Sequence, residues 1–236
     1  MLIAIDYDPG FTGEMTAAAL PVIDQLMLQR NTMVVVSSTP TGLAQAEVLL
    51  STVARYGGHQ QGAANNYIML GYIPGAEIGL QGFARNPRAT LSGTLESKVA
   101  WLSPALRSVQ TVADFSMLVL ITNRPDGAQR WIEQVGPFKA SPLVLILSSQ
   151  ATPVIYPYFA ASPRQVDGIV SGLEGGVAYE DIQGRTGYAR TFWAPLNLGL
   201  VAALGLIVIG GSWAALQATG KQTGRKSRMG DEMDNR

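Results

Sequence analysis

The chain contains no cysteine and no excess of charge of either sign. Without cysteine it has no disulfide framework, no thiolate zinc site, no iron–sulfur cluster and no cysteine nucleophile. Because 17 basic residues balance 17 acidic ones, the totals do not indicate a nucleic-acid binder. The chain also lacks the G-x-G-x-x-G, Walker and G-x-S-x-G patterns. The sequence therefore predicts neither a nucleotide-driven enzyme nor a serine hydrolase of the elbow type.

The composition is that of a folded, apolar chain, with 47% hydrophobic and only 14% charged residues. Over residues 1–185, short β-branched or aliphatic runs alternate with longer amphipathic stretches, whereas residues 80–110 carry no sustained period. The runs lie at 2–5, 32–36, 67–73, 117–121, 143–147 and 168–172. Near-continuous apolar strands separated by helices are typical of parallel sheets. We predict a doubly wound, mostly parallel α/β sheet of five or six strands, followed by one C-terminal transmembrane helix.

Residues 192–216 form a run without a single charge, long enough to cross a bilayer as a helix. Trp193 and Trp213 stand twenty residues apart, which is about 30 Å of helix and about one hydrocarbon thickness. We therefore predict a globular domain at 1–185, a linker at 186–191, a transmembrane helix at 192–216 and a short tail at 217–236.

The charges that flank the span predict its orientation. Those after it are Lys221, Arg225, Lys226 and Arg228, and those before it are Arg185 and Arg190. The positive-inside rule then places the tail in the cytoplasm and the large domain outside it. An exported domain needs a leading signal or span, and the first ten residues do not supply one. We expect a leading segment before Met1; the alternative is a tail-anchored protein of the opposite orientation.

Small residues recur at four-residue spacing along the span. They are Gly199 with Ala203, Gly210 with Ala214, and Gly211 with Ala215. Such spacing allows close approach of a second helix. We expect this face to pack against a membrane-protein partner within the lipid bilayer.

Ligands of parallel α/β sheets bind beyond the carboxyl ends of the strands. Polar residues follow several of the predicted strands, and we select those after the second and fourth as ligand-binding candidates. They are Ser37, Ser38, Thr39, Thr41, Arg124 and Asp126.

Asp6 and Asp8 follow the first strand as an Asp-x-Asp pair. This pair resembles the nucleophile motif of haloacid-dehalogenase-type phosphatases, and Ser37 or Ser38 and Lys139 match parts of the later motifs. The resemblance implies attack of the first carboxylate on phosphorus, with magnesium held by both. The chain departs from the family because a proline follows Asp8 and no later strand ends in a paired acidic motif. The alternative reading is that both aspartates stabilise a Pro-Gly turn.

Three functional hypotheses follow. The first is a single-pass membrane protein whose α/β domain binds a protein or small ligand without catalysis. The second is magnesium-dependent phosphoryl transfer that uses Asp6 and Asp8. The third is a structural spacer in a membrane assembly. The single histidine, His59, lies in a glycine-rich loop without a catalytic setting, and we expect neither a cofactor nor a metal site.

Overall fold

The sheet is parallel throughout, as predicted. The computed structural model describes residues 1–30, 32–56 and 67–233, with side chains up to Trp213. Within them the strands are β1 (Leu2–Ile5), β2 (Met33–Ser37), β3 (Tyr67–Tyr72), β4 (Leu118–Thr122), β5 (Leu143–Leu147) and β6 (Gly168–Ser171). Their order is β3-β2-β1-β4-β5-β6, so the fold class is confirmed with six described strands. The same order occurs in the dinucleotide-binding sheet, which is a likeness of topology alone.

Helices cover both faces of the sheet. They are α1 (Thr12–Leu28), α2 (Gly42–Tyr56), α3 (Ala76–Arg85), α4 (Pro87–Thr90), α5 (Leu95–Ala100), α6 (Pro125–Gln134), α7 (Thr152–Ala160), α8 (Gly172–Ile182) and α9 (Tyr188–Met233). Alternate residues of β1 point to opposite faces: Ile3 and Ile5 pack with α1 and α2, whereas Leu2 and Ala4 pack with α3 and α6. Because both faces are covered, β1 is apolar at every position, and β2 and β4 are apolar up to their last residues, Ser37 and Thr122.

The aperiodic stretch 80–110 contains short helices rather than an open loop. Helices of four to ten residues are too short to show a sustained period in the sequence. Phe83, Trp101 and Leu106 are buried in the core, and the Trp101 Nε1 donates to the Leu91 carbonyl at 2.9 Å. Tertiary packing of these large side chains orders the segment.

Helix α1 continues through Pro21 as a single helix and packs closely on α8. Pro21 has no N–H, so it cannot bond the carbonyl of Ala17 one turn earlier. Gly176 of α8 lies against that carbonyl: a Cβ at Gly176 would stand 2.4 Å from the Ala17 oxygen. The glycine allows the two backbones to approach where α1 lacks its own hydrogen bond.

The chain divides into two compact units, Met1–Phe192 and Trp193–Arg236. Helix α9 begins at Tyr188, inside the predicted linker 186–191, and the buried Glu180 of α8 caps its first turn. The Glu180 carboxylate accepts from the Ala189 N–H at 2.8 Å and from the Arg190 N–H at 3.1 Å. Residues Tyr188–Trp213 of α9 form a 26-residue segment, and its most apolar 18-residue window has a mean hydropathy of 2.1 and is not buried. Among the described residues this is one candidate membrane-spanning helix, as the sequence predicts.

Candidate functional site

The strand order reverses between β1 and β4, because the chain proceeds from β1 to β2 and β3 and then crosses back to β4. The carboxyl ends of β1 and β4 pair side by side at Ile5 and Ile121. In open α/β sheets this switch point is the usual place for a ligand. The residues that the sequence selects follow β1, β2 and β4, so the topology brings these three turns together at one edge.

Asp6 lies at the centre of this edge and is buried, with 1% of its surface exposed. Its Oδ1 accepts from the Ser37 hydroxyl at 2.8 Å and from the Ser38 N–H at 2.6 Å. Its Oδ2 accepts from the Ser38 hydroxyl at 2.5 Å and from the Trp131 Nε1 at 2.7 Å. The carboxylate therefore receives four hydrogen bonds, which fill its ordinary acceptor capacity.

The turn after β2 is built around this carboxylate. Ser37 is fully buried, and its hydroxyl also accepts from the Thr39 N–H at 3.0 Å. Gly42 opens α2 against the end of β1: a Cβ there would stand 1.9 Å from the Ser37 Oγ and 2.1 Å from the Ile5 carbonyl oxygen. Only glycine fits this approach. Ser38 and Thr39 are half-buried and Thr41 is exposed, so Thr41 is the predicted ligand-binding residue of this turn that faces solvent.

Asp8 is tied to the turn after β4 by a reciprocal pair of bonds. The Asp8 N–H donates to the Asn123 Oδ1 at 2.9 Å, and the Asn123 Nδ2 donates to the Asp8 Oδ2 at 3.1 Å. The Thr122 hydroxyl adds a third link, to the Asp6 carbonyl at 2.8 Å. These three hydrogen bonds join the turn after β1 to the end of β4 at the switch point. Thr122 and Asn123 are not among the residues predicted from the sequence, although both directly follow a buried apolar run.

Arg124 and Asp126 do lie together, in an exposed charged group at the start of α6. The Arg124 Nη2 stands 3.1 Å from the Asp126 Oδ2, and Arg130 contacts the same oxygen at 2.5 Å. The Asp126 contact raises the pKa of the Arg124 guanidinium. Burial opposes ionisation of Asp126, but the hydrogen bond and charge of Arg124 outweigh it and lower the pKa of that carboxyl. Glu77 of α3 completes the group, at 3.7 Å from the Arg130 Nε.

Glu14, in the first turn of α1, is a further carboxylate at this edge, and it was not predicted from the sequence as a site residue. Its Oε1 accepts from the Ser149 N–H at 2.7 Å and from the Ser149 hydroxyl at 2.8 Å. Gly172, with φ +53°, lies against the same group, because a Cβ there would stand 2.1 Å from the Ser149 Oγ. Glu14 thus bonds the turn after β5 to α1 and lies close to the turn after β6.

The chemistry that this edge offers is hydrogen bonding and ion pairing. Among the described residues no group of three or more His, Cys, Asp or Glu side chains has a metal-binding arrangement. His59 lies outside the described residues. Lys139, which the phosphatase resemblance would use, pairs with Asp167 at 2.6 Å in the loop before β5, at the opposite edge of the sheet.

A cavity of about 520 Å³ lies away from the switch point, along the edge strand β3. It is lined mainly by apolar side chains and carries Glu47 and Glu96 at its rim. None of the predicted ligand-binding residues lines it. The cavity and the predicted residues therefore mark different surfaces.

The small residues of the span face open space where the structure describes them. A Cβ built on Gly199, Gly210 or Gly211 would meet nothing within 4 Å, and Ala203 is exposed. Ala214 and Ala215 lie beyond the described side chains. Packing of this face against a partner stays a prediction.

Comparison of the chain with protein-family models, with curated proteins and with solved structures finds no match.

Proposed function

We propose that the protein is a single-pass membrane protein whose α/β domain is a non-catalytic binding module, with its ligand or protein partner at the carboxyl edge of the sheet. One observation carries the non-catalytic part: both oxygens of the Asp6 carboxylate are saturated by internal donors. A nucleophilic carboxylate needs a lone pair directed at its substrate. Asp6 serves instead as the structural centre of the edge.

The exposed polar groups around this centre support binding. Thr41, Arg124 and Asp126 are held on turns that the buried hydrogen bonds fix in place. Side chains presented by a rigid scaffold bind with less loss of conformational entropy than mobile ones. The proposed orientation is the one that the flanking charges predict, with the tail in the cytoplasm and the domain outside it.

The membrane part is tested by fractionation of cells that express the full chain. The native protein should stay with the membranes after alkaline extraction. Leu206→Arg with Ile209→Arg should release it, since each arginine near the middle of a span costs about 2.5–3.5 kcal/mol. Ile78→Arg, at an equally exposed apolar residue of the domain, is the matched control and should stay bound. Recovery of the native chain in the soluble fraction would contradict the proposal.

The binding part is tested by co-purification in mild detergent. Thr41→Arg with Asp126→Arg should abolish capture of a partner or ligand that the native chain retains. Leu102→Arg, at an exposed residue outside the edge, should leave it unchanged. No capture by the native chain would count against a binding module.

The enzyme hypothesis is tested separately, with phosphate esters and magnesium. The suitable variant is Asp8→Asn. Asp8 is half-buried, and the hydrogen bond that its side chain accepts comes from the Asn123 Nδ2, so the substitution should leave the fold intact. We expect no hydrolysis by either chain. Hydrolysis that disappears in Asp8→Asn would replace the binding proposal with the phosphatase one.

A further inference from the structure

One edge of the sheet combines exposed apolar side chains with exposed arginines beside the start of α9. In a parallel α/β domain each covering helix returns the chain to the amino ends of the strands. The C-terminal ends of α1, α2 and α8 therefore share one edge, together with the loop into α9. We call this the amino surface, and its exposed residues of interest are Leu28, Arg30, Arg55, Tyr56, Ile182, Arg185 and Arg190.

Large apolar side chains project from the amino surface into solvent. Ile182 is 83% exposed, Tyr56 is 60% exposed and Leu28 is 47% exposed. They come from three different helices, so no single amphipathic helix accounts for them. Exposed apolar groups gathered at one edge mark an interaction surface.

The charges of the amino surface are mainly positive. Four exposed arginines belong to the same surface, and two aspartates offset two of them. Arg185 pairs with the largely buried Asp24 at 3.4 Å, and Arg190 pairs with Asp181. The carboxyl edge is mixed in charge, because Arg124 and Arg130 pair there with Asp126 and Glu77. Apolar side chains interleaved with arginines match the interface of a bilayer that contains anionic lipids.

An aromatic cluster joins the amino surface to the start of α9. The Tyr56 ring meets the Tyr188 ring edge-on at 4.9 Å, and the Tyr188 ring lies 5.0 Å from that of Phe192. Tyrosine is enriched at the headgroup level of membranes. A cavity of about 380 Å³ opens beside the cluster, lined by Thr186, Arg190 and both tyrosines, and it offers room for a lipid headgroup.

The position of Tyr188 along α9 sets the depth of this cluster. Phe192, four residues later, opens the predicted span, so Tyr188 stands about 6 Å outside it. Each headgroup layer is about 5–8 Å thick. Tyr188 then lies among the headgroups when the helix spans the bilayer, and the ring of Tyr56 in α2 stands within 4.9 Å of the Tyr188 ring.

We propose that the amino surface docks on the headgroups of a bilayer that contains anionic phospholipids, so that the domain rests on the membrane instead of hanging from a free tether. This inference rests on the proposed membrane span and not on its orientation, since it requires anionic phospholipid in whichever leaflet faces the domain. Docking would turn the carboxyl edge, with its candidate binding residues, away from the bilayer and toward a partner.

The test uses the full chain in vesicles of phosphatidylcholine with an anionic phospholipid. Because the native chain has no cysteine, one introduced cysteine gives one nitroxide label. Ile182→Cys reports on the amino surface, and Ile78→Cys is its matched control, since the two isoleucines are 83% and 84% exposed. Leu204→Cys reports on the span. The measurement is collision of each label with oxygen, which enters lipid, and with a polar nickel chelate, which does not.

The outcomes separate the two proposals. We expect the Leu204 label to collide with oxygen, the Ile182 label to be shielded from nickel, and the Ile78 label to collide freely with nickel. Equal nickel collision at Ile182 and Ile78, with Leu204 in lipid, would overturn docking and leave the span intact. Nickel collision at Leu204 would overturn the span itself.

Charge reversal on the amino surface tests whether docking depends on attraction to anionic headgroups. In the Ile182-labelled chain, Arg30→Glu with Arg55→Glu should remove the nickel shielding. Each basic residue near an anionic surface contributes about 1 kcal/mol, or about a fivefold change in the docked population. Shielding that survives both substitutions, or that is unchanged in vesicles of phosphatidylcholine alone, would show that anionic headgroups are not what the surface binds.

Discussion

Replacing Asp6 by asparagine tests whether this carboxylate is the structural centre of the carboxyl edge. Asparagine has the same shape, but one of its two side-chain atoms is a donor where the carboxylate has an acceptor. Each oxygen of Asp6 faces one donor that cannot turn around: the Ser38 N–H on one side and the Trp131 Nε1–H on the other. In either orientation of the amide, one of these N–H groups meets another donor.

The cost follows from these contacts. A buried N–H without a partner costs about 1–3 kcal/mol, and hydrogen bonds to a charged acceptor contribute about 1.5–3 kcal/mol where neutral ones contribute about 1. We expect Asp6→Asn to lower the free energy of unfolding by about 2–5 kcal/mol. In a domain of this size, each kcal/mol lowers the melting temperature by about 2–4 °C.

The assay is thermal and urea unfolding of the full chain in mild detergent, followed by circular dichroism. Asp8→Asn is the matched control, and we expect it to cost less than about 1 kcal/mol, because Asp8 is half-buried and an amide oxygen can still accept from Asn123. A loss for Asp6→Asn within about 0.5 kcal/mol of zero, the range of ordinary surface substitutions, would refute the reasoning.

Three further predictions concern other parts of the chain. Gly176→Ala should lower the free energy of unfolding by about 2 kcal/mol or more, and with it the urea midpoint, because the added Cβ would stand 2.4 Å from a carbonyl oxygen of α1. Gly10→Ala is the control: its Cβ meets open space, so this variant should unfold close to the native midpoint. Burial raises the pKa of Tyr7 from 10.0 to about 12, so the stability that this group contributes is intact below pH 10 and is lost as pH rises through 12, by up to about 3 kcal/mol. Tyr7→Phe should lose stability less steeply between these pH values, and identical pH profiles would argue against a protected phenol. If the small-residue face of the span holds a partner, Gly210→Leu with Gly211→Leu should reduce co-purification of that partner, and unchanged co-purification would exclude this face as the contact.

The proximity of the predicted site residues followed in part from the sequence. Polar residues that follow buried strands were expected to share one edge of the sheet, and Ser37, Ser38 and Asp6 do meet there, whereas binding of a ligand at this edge stays a prediction. The role of Asp6 was not predictable, because one of its donors, Trp131, is 125 residues away and lies on a helix whose period shows only that the residue is buried. The reciprocal bonds between Asp8 and Asn123 join turns that are 115 residues apart. Contacts between distant turns leave no local pattern.

The sequence by itself determined the parallel α/β class, the approximate positions of the strands and the apolar helix near the C-terminus. These properties depend on composition and on periods of two and 3.6 residues, which are local. Tertiary structure alone decided the order of the strands, with the return from β3 to β4 past β1, and therefore which turns share the switch point. It also decided that Arg30, Arg55 and Arg185, at or just beyond the C-terminal ends of α1, α2 and α8, share one edge, because these helices are adjacent only after they pack on the same face of the sheet.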